Sequence, residues 1–434
     1  MALGGGTFTT MNKIMPGAYI NYVSAERADA ALSDRGIAAL PLELKWGRDG
    51  EVFEVEADNF ESEAVYDFGY LFDSEELKSV REVFKHAEKC LFYKLNSGTK
   101  AVCSISEARY KGSRGNDIRH VVTANVDDTD KIDVVTYIGE YKADVQTVGQ
   151  MAELVDNDFV IFNRDAALEI TAGMNLTGGT DGEVTGMQHH EALDALEAHS
   201  FNALGCMSAE KSVKALYSSF CRRMRDSVGV KFQLVVKDLE ADYIGTINLQ
   251  NNVSDKGEKP YALVPWVVGA EAGCAVNRSC DNLTYDGEYT VNTDYRQSEL
   301  QKMIRSGMFV FHKVGNKANV LSDINSYVNT TYEINEDFQL NQVIRVLDQI
   351  ATDEAAIFNT KFLGKVQNDE DGRIAFWSDC VSIHKQLLKL RAIEEFEETD
   401  IVVERGRDKR TVITYDAVKP VCAMNKLYMT ICAR

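Results

Sequence analysis

Residues able to do chemistry are scattered through this 434-residue chain, and few fall at spacings that chemistry needs. His189, His190 and Glu191 are consecutive, but a zinc-binding helix needs two histidines four residues apart, as in HExxH. His190 and His199 are too far apart along one helix to share a metal. His86 and Cys90 do have i, i+4 spacing, yet zinc takes three or four ligands, so an ordinary helix face accounts for them. No GxSxG elbow is present. Cys206 in Leu204-Gly205-Cys206 could be a thiol nucleophile with a distant histidine, but its setting suits a small buried residue at a strand end. Cys274 and Cys280 sit in a loop-like stretch and could pair in an oxidising compartment. The glycines between Gly178 and Gly186 match neither GxxxxGK[ST] nor GxGxxG, so they read as a linker turn and not as a phosphate cradle. Carboxylates run together at Asp369-Glu370-Asp371 and at Glu394, Glu395, Glu397 and Glu398, the pattern of a solvated face. No catalytic residue, cofactor site or metal site is expected.

Composition narrows the choices further. A net charge of -20 repels a phosphate backbone. The basic runs at Arg222, Arg223 and Arg225, and at Arg405, Arg407, Lys409 and Arg410, are short and interrupted by aspartates. Nucleic acid is therefore not an expected partner. No apolar run reaches the roughly 20 residues that span a bilayer, and residues 1–10 lack the basic and apolar regions of a secretory signal. The nine scattered cysteines include no CxxC pair, which fits reduced, mostly buried thiols.

The elements that would position these residues are mixed. Gly4–Gly6 and the turn at Pro16-Gly17 mark residues 1–23 as an arm. Within it Ala18, Tyr19, Ile20, Asn21 and Tyr22 form a β-prone run with no nearby hairpin partner, so it must pair with something distant. Residues 24–98 read as α/β, with a helix over 75–90 and a strand over 90–95. Over 99–182, short alternating runs at 101–106, 118–126, 131–137, 141–145 and 159–162 predict an inserted β-sandwich-like domain. Residues 183–330 alternate again. Helices are expected over 189–200, 209–227 and 298–305, and strands over 231–236, 244–249, 261–268 and 308–314. This is the order of a doubly wound parallel sheet. Residues 331–434 predict helices over 338–360 and 373–392 and a hairpin at 402–415. A final β-prone run follows, in which Leu427, Met429 and Ile431 face one way and Lys426, Tyr428 and Thr430 the other.

Several stretches carry a resemblance by their order. They are Pro16-Gly17-Ala18-Tyr19-Ile20, the run 176–182, Phe201-Asn202-Ala203-Leu204-Gly205 and Arg223-Met224-Arg225-Asp226. After them come the glycine- and alanine-rich run 269–277, Phe309-Val310-Phe311-His312-Lys313-Val314, Arg345-Val346-Leu347-Asp348-Gln349-Ile350 and the run 423–429. Together, across nearly the whole length, the sequence resembles the contractile tail sheath proteins of myovirus-type phages. The likeness is greatest to sheaths of Gram-positive phages, defective prophages and phage-tail-like bacteriocins. The resemblance implies a multidomain α/β protein. It would have a subtilisin-like core at 24–98 and 183–330, an outward-facing insertion at 99–182, a C-terminal domain at 331–434 and β-arms at both ends that add strands to neighbouring subunits.

It also implies a structural role without enzyme activity: a helical homopolymer of hexameric rings around a tail tube, with baseplate and tail-terminator proteins as further partners. Such a sheath contracts to drive the tube through a cell envelope, is assembled in the bacterial cytoplasm, and needs neither membrane nor cofactor. Arg345, Lys361 and Lys365 are the expected tube contacts. The competing expectation is an α/β hydrolase-like enzyme with a cleft in the 183–330 core.

Overall fold

A computed structural model of the chain describes residues 32–433; Ala18, Tyr19, Ile20, Asn21 and Tyr22 lie outside them. The chain forms two compact units, a large one of Asp34–Gln349 with Pro420–Arg434 and a smaller one built on Ile350–Lys419.

The large unit begins with β1 (Ile37–Leu42), β2 (Val52–Glu56), α1 (Ala57–Phe68), α2 (Lys78–Val83) and β3 (Lys89–Lys94). The inserted segment follows, with β4 (Ser106–Ala108), β5 (Ile118–Ala124), β6 (Ile132–Ile138), β7 (Tyr141–Val148), β8 (Val160–Phe162) and β9 (Thr171–Asn175). The core then resumes through α3 (Gly186–Leu196), β10 (Ala203–Gly205), α4 (Lys211–Arg223), β11 (Gln233–Lys237), β12 (Thr246–Leu249), α5 (Val264–Gly273), α6 (Gln297–Arg305), β13 (Met308–Phe309) and the hairpin β14 (Phe311–Val314)–β15 (Lys317–Val320).

Seven strands form one sheet in the order β13-β12-β11-β10-β1-β3-β2, parallel except for the edge strand β2. Helices cover both faces. Ala38 and Leu40 of β1 join the cluster under α1, α2 and α5, while Ala39 joins the one under α3 and α4. A strand buried on both sides has no alternating signature. That is why the run 37–42, all apolar and containing Pro41, is not legible as a strand.

The expected strand over 261–268 is instead α5. Pro265 occupies its first turn, where a missing N–H costs nothing, and the helix is buried on every side, so its sequence has no polar stripe. Gly269 and Gly273 let it lie directly on the α2 region. A Cβ at either would collide with the carbonyl oxygen of Val83 or His86. The helix expected over 75–90 is shorter. A 3₁₀ turn at Glu75–Leu77 leads into α2, and the chain turns before β3.

The insertion forms an antiparallel sheet in the order β7-β6-β5-β9 and a separate β4–β8 pair. Ile118, Val122, Val134 and Ile138 line its core, into which the core loop sends Trp46, stacked 6.2 Å from Phe159. The glycine-rich run closing the insertion is a structural crossing. Thr99 and Thr180 exchange backbone hydrogen bonds of 3.2 Å, and Gly178 and Gly182 adopt positive φ.

The smaller unit takes over partway along α7 (Asn341–Ile357), which runs into a π-helical turn at Phe358–Phe362. Next come α8 (Glu370–Leu390) and the antiparallel hairpin β16 (Ile401–Arg405)–β17 (Val412–Asp416). Asp369 caps α8 by accepting from the Gly372 N–H at 2.9 Å. The Trp377 indole N–H ties the helix to the hairpin by donating to Ile401 O at 3.0 Å.

Candidate functional site: the uncovered chain end and hairpin

The residues singled out for chemistry prove to be structural. His189 is buried, its Nδ1 3.0 Å from Tyr217 Oη, and burial lowers its pKa to about 4, so it stays neutral. His190 pairs with Asp194 on the surface at 2.9 Å. His86 meets the edge of Trp266 and is 3.2 Å from Asp286. Cys206 is buried, and burial pushes its thiol up to about 12, the opposite of an activated nucleophile. Cys274 and Cys280 are both free thiols.

Arg345 corrects the expectation of a surface contact. Its guanidinium is wholly buried in the large unit, 2.6 Å from Glu271 Oε2 and 3.4 Å from Asp323 Oδ2, and it donates to Arg278 O at 2.7 Å. Glu271 is held well above the ordinary carboxyl range, first by burial and then by Asp323. Asp323 is lowered; its own burial opposes ionisation, but Arg345 and the donors around it outweigh that. The two carboxyls beside the one guanidinium are thus pushed in opposite directions. Its members are far apart in sequence, and nothing local marks them.

Lys361 and Lys365 occupy the smaller unit, at the exit of α7. Half-buried Lys361 pairs with Asp379 at 3.2 Å. Exposed Lys365 donates to Thr360 O at 2.5 Å. Beside them lies a groove of about 380 Å³ with Phe358, Phe362 and Phe376 in its floor and Arg373, Lys409 and Arg410 at its rim.

Among the described residues, two apolar surfaces lack cover. The hairpin's inner side faces α8 through buried Ile401. Its outer side presents the cross-strand pairs Val402–Tyr415 and Glu404–Ile413, and Val402, Ile413 and Tyr415 are exposed. Among the described residues neither strand has a second neighbour, so each leaves a row of backbone groups at its edge.

The chain end is the second surface. The Ala423 N–H donates to Gln342 Oε1 and the Asn425 amide to Asp281 Oδ2, both at 2.9 Å. Beyond these two anchors, residues 426–433 form no strand with the other described residues. Leu427 and Tyr428 are 83% and 91% exposed, and Met429, Thr430 and Ile431 are exposed as well. The alternation read from the sequence is present there without a sheet.

Four family models match the chain in succession. They are the tail sheath protein Gp18 domain III N-terminal region at 35–95, the phage tail sheath protein beta-sandwich domain at 96–181, the phage tail sheath protein central domain at 182–326 and the phage tail sheath C-terminal domain at 333–434. This is a phage-type structural protein and not an enzyme. The chain belongs to the tail sheath protein family. A sheath tail protein from Desulfitobacterium hafniense is 35% identical, with a TM-score of 0.82 over 95% of this chain and 99% of that one. The phage-like element PBSX protein XkdK of Bacillus subtilis is 31% identical over 99% of both chains. The helical sheath of the anti-feeding prophage, solved in its contracted state, shares the fold at 12% identity, with a TM-score of 0.55 over 96% of this chain and 99% of that one. Among the described residues no helix is long and apolar enough to cross a membrane.

Proposed function

We propose that the chain is the repeating subunit of a contractile sheath, a helical homopolymer of hexameric rings that surrounds a tail tube. Its contraction drives the tube through the target cell envelope. Head-to-tail contacts that do not close give such filaments. The observation that carries this is the exposed apolar run of residues 426–431, which alternates like a strand but has no strand partner among the described residues.

A neighbour's hairpin, with its open edges and outer Val402, Ile413 and Tyr415, is the matching acceptor. Each backbone hydrogen bond gained adds about 0.5–1.5 kcal/mol, and each large apolar side chain buried adds about 1.5–3 kcal/mol. One such strand is therefore worth several kcal/mol per contact. Residues 18–22 supply the corresponding strand at the other end.

In this account the parallel core, covered on both faces, is the subtilisin-like layer of the sheath, and the insertion at 99–182 faces outward. The smaller unit faces the tube, with Lys361, Lys365 and the basic rim of its groove as the contacts; Arg345 is not among them. Baseplate and terminator proteins meet the two ends of the polymer, which assembles in the bacterial cytoplasm. Contraction is a rigid-body change between two packings of the subunit, stored in the metastable extended state, with the arm strands staying paired throughout.

Aspartates at both Leu427 and Met429 test the pairing. The double variant is expected to keep its thermal midpoint, since both side chains are exposed, and to sediment only as small species. Polymers as long as the wild type's would contradict it.

A further inference from the structure

We propose that Glu354, His384 and Asp416 form a binding site for one divalent cation of the zinc class. The three come from three elements of the smaller unit: Glu354 from α7, His384 from α8, and Asp416 from the end of β17. One ligand atom of each lies within 4.8 Å of the other two. His384 Nε2 is 3.0 Å from Asp416 Oδ2. Ligand atoms around a cation bonded at about 2.0–2.2 Å stand roughly 3–3.5 Å apart, so the His384–Asp416 pair already has about that spacing and the Glu354 carboxylate closes in by up to about 1.5 Å.

The imidazole is already oriented for this role. His384 is fully buried, and its Nδ1 donates to Cys380 O at 3.0 Å. That bond keeps a proton on Nδ1 and leaves Nε2 facing the carboxylates, the orientation in which metal-bound histidines are held. Phe396 stacks on the ring at 5.0 Å and closes that side.

The second observation is what the cluster lacks. Glu354 Oε1 and Asp416 Oδ1 are buried without a hydrogen-bond partner, and His384 Nε2 has only its 3.0 Å approach to Asp416 Oδ2 within the cluster. Two unsatisfied carboxylate oxygens beside one buried imidazole are unusual, because buried polar atoms are nearly always satisfied. The other buried acidic cluster, Glu271–Cys280–Asp323, has the Arg345 guanidinium in its midst. Here, among the described residues, no lysine or arginine forms an ion pair with Glu354 or Asp416. Lys361 and Lys385 are paired with Asp379 and Glu398.

Two carboxylates and a neutral imidazole are the ligand types of zinc and its neighbours, whereas magnesium and calcium prefer oxygen alone. Cys380, one helical turn before His384 on the same face of α8, is a buried free thiol. A cation here would pin the end of β17 to both helices and so hold the hairpin whose outer face is uncovered.

The test uses the purified full-length chain, loaded with zinc, desalted without chelator and analysed by elemental mass spectrometry. Cobalt(II) loading gives a parallel visible spectrum. The wild type is expected to keep one more metal per chain than Glu354→Gln or Asp416→Asn, both near-isosteric. Zinc should raise the thermal midpoint of the wild type and leave those of the variants unmoved. Affinity should fall at least about 10–100-fold in each variant. Equal metal content in wild type and variants, as exposed Cys422 and Cys432 would produce, overturns the proposal. So does a wild type that holds no metal, which would leave His384–Asp416 as a simple ion pair. His384→Gln adds a third variant, and circular dichroism without metal identifies any that fails to fold.

Discussion

Replacing Arg345 by methionine separates the structural account of this residue from the idea that it touches a tube. In the folded chain the guanidinium lies 2.6 Å from Glu271 Oε2, and the ionised Asp323 beside it accepts from the Cys280 N–H at 2.9 Å and the Asn341 amide at 2.7 Å. Methionine fills much of the volume but leaves the Asp323 charge buried with neutral donors only, and it also orphans Arg278 O. Breaking a buried pair from one side costs about 3–5 kcal/mol. At about 2 °C per kcal/mol, the low end for large domains, the midpoint of the large unit should fall by roughly 6–10 °C. Glu271→Gln should behave differently, because burial and the neighbouring Asp323 both favour the neutral form of Glu271. The amide keeps a donor for Asp323 and an acceptor for Arg345, so its expected loss is under about 1 kcal/mol. Scanning calorimetry on the three proteins reads both effects. If Arg345→Met unfolds within about 1 kcal/mol of wild type yet fails to assemble on tubes, the buried-cluster account is refuted.

Three other perturbations follow from the same reasoning. Burial pushes the Glu82 carboxyl up to about 7; with the folded pKa above the unfolded one, stability is full below about pH 4.5 and lost as pH rises through 7. Glu82→Gln should flatten that slope, and thermal midpoints at pH 5 and pH 8 would show whether it does. Gly269→Ala drives a Cβ into Val83 O where α5 meets the α2 region. It should destabilise the large unit by at least about 1–3 kcal/mol in urea unfolding, and an unchanged midpoint would mean that α5 can move away. Charge reversal at Lys365, which is exposed, should leave stability within about 0.5 kcal/mol but reduce assembly on co-expressed tube protein; unaltered assembly would remove Lys365 from the tube face.

The alternating strands of the insertion were legible because β5 and β6 each bury one side: Ile118, His120 and Val122, then Val134, Thr136 and Ile138, are buried at every second position. β9 was not legible. Its Thr171-Ala172-Gly173-Met174-Asn175 has neither alternation nor a buried face. α5 and β1 were misread or missed for one reason: burial on all sides removes the polar positions that report a period. The helices α7 and α8 and the last hairpin are legible, because α8 and the hairpin keep a solvent face and α7 keeps one over its second half.

The site divides the same way. The unpaired character of residues 426–431 was visible as alternation without a local partner. The burial of Arg345 was not, since it depends on Glu271 and Asp323, which only the fold brings to it. Glu354, His384 and Asp416 are likewise separated by whole elements and carry no motif.

The most direct test of the central claim is negative-stain electron microscopy of the purified full-length protein at high concentration, beside deletions of residues 1–22 and 420–434. The account predicts hollow tubes from the full chain and short tubes or none from either deletion. A uniformly small, closed particle that keeps its size in all three preparations would contradict it.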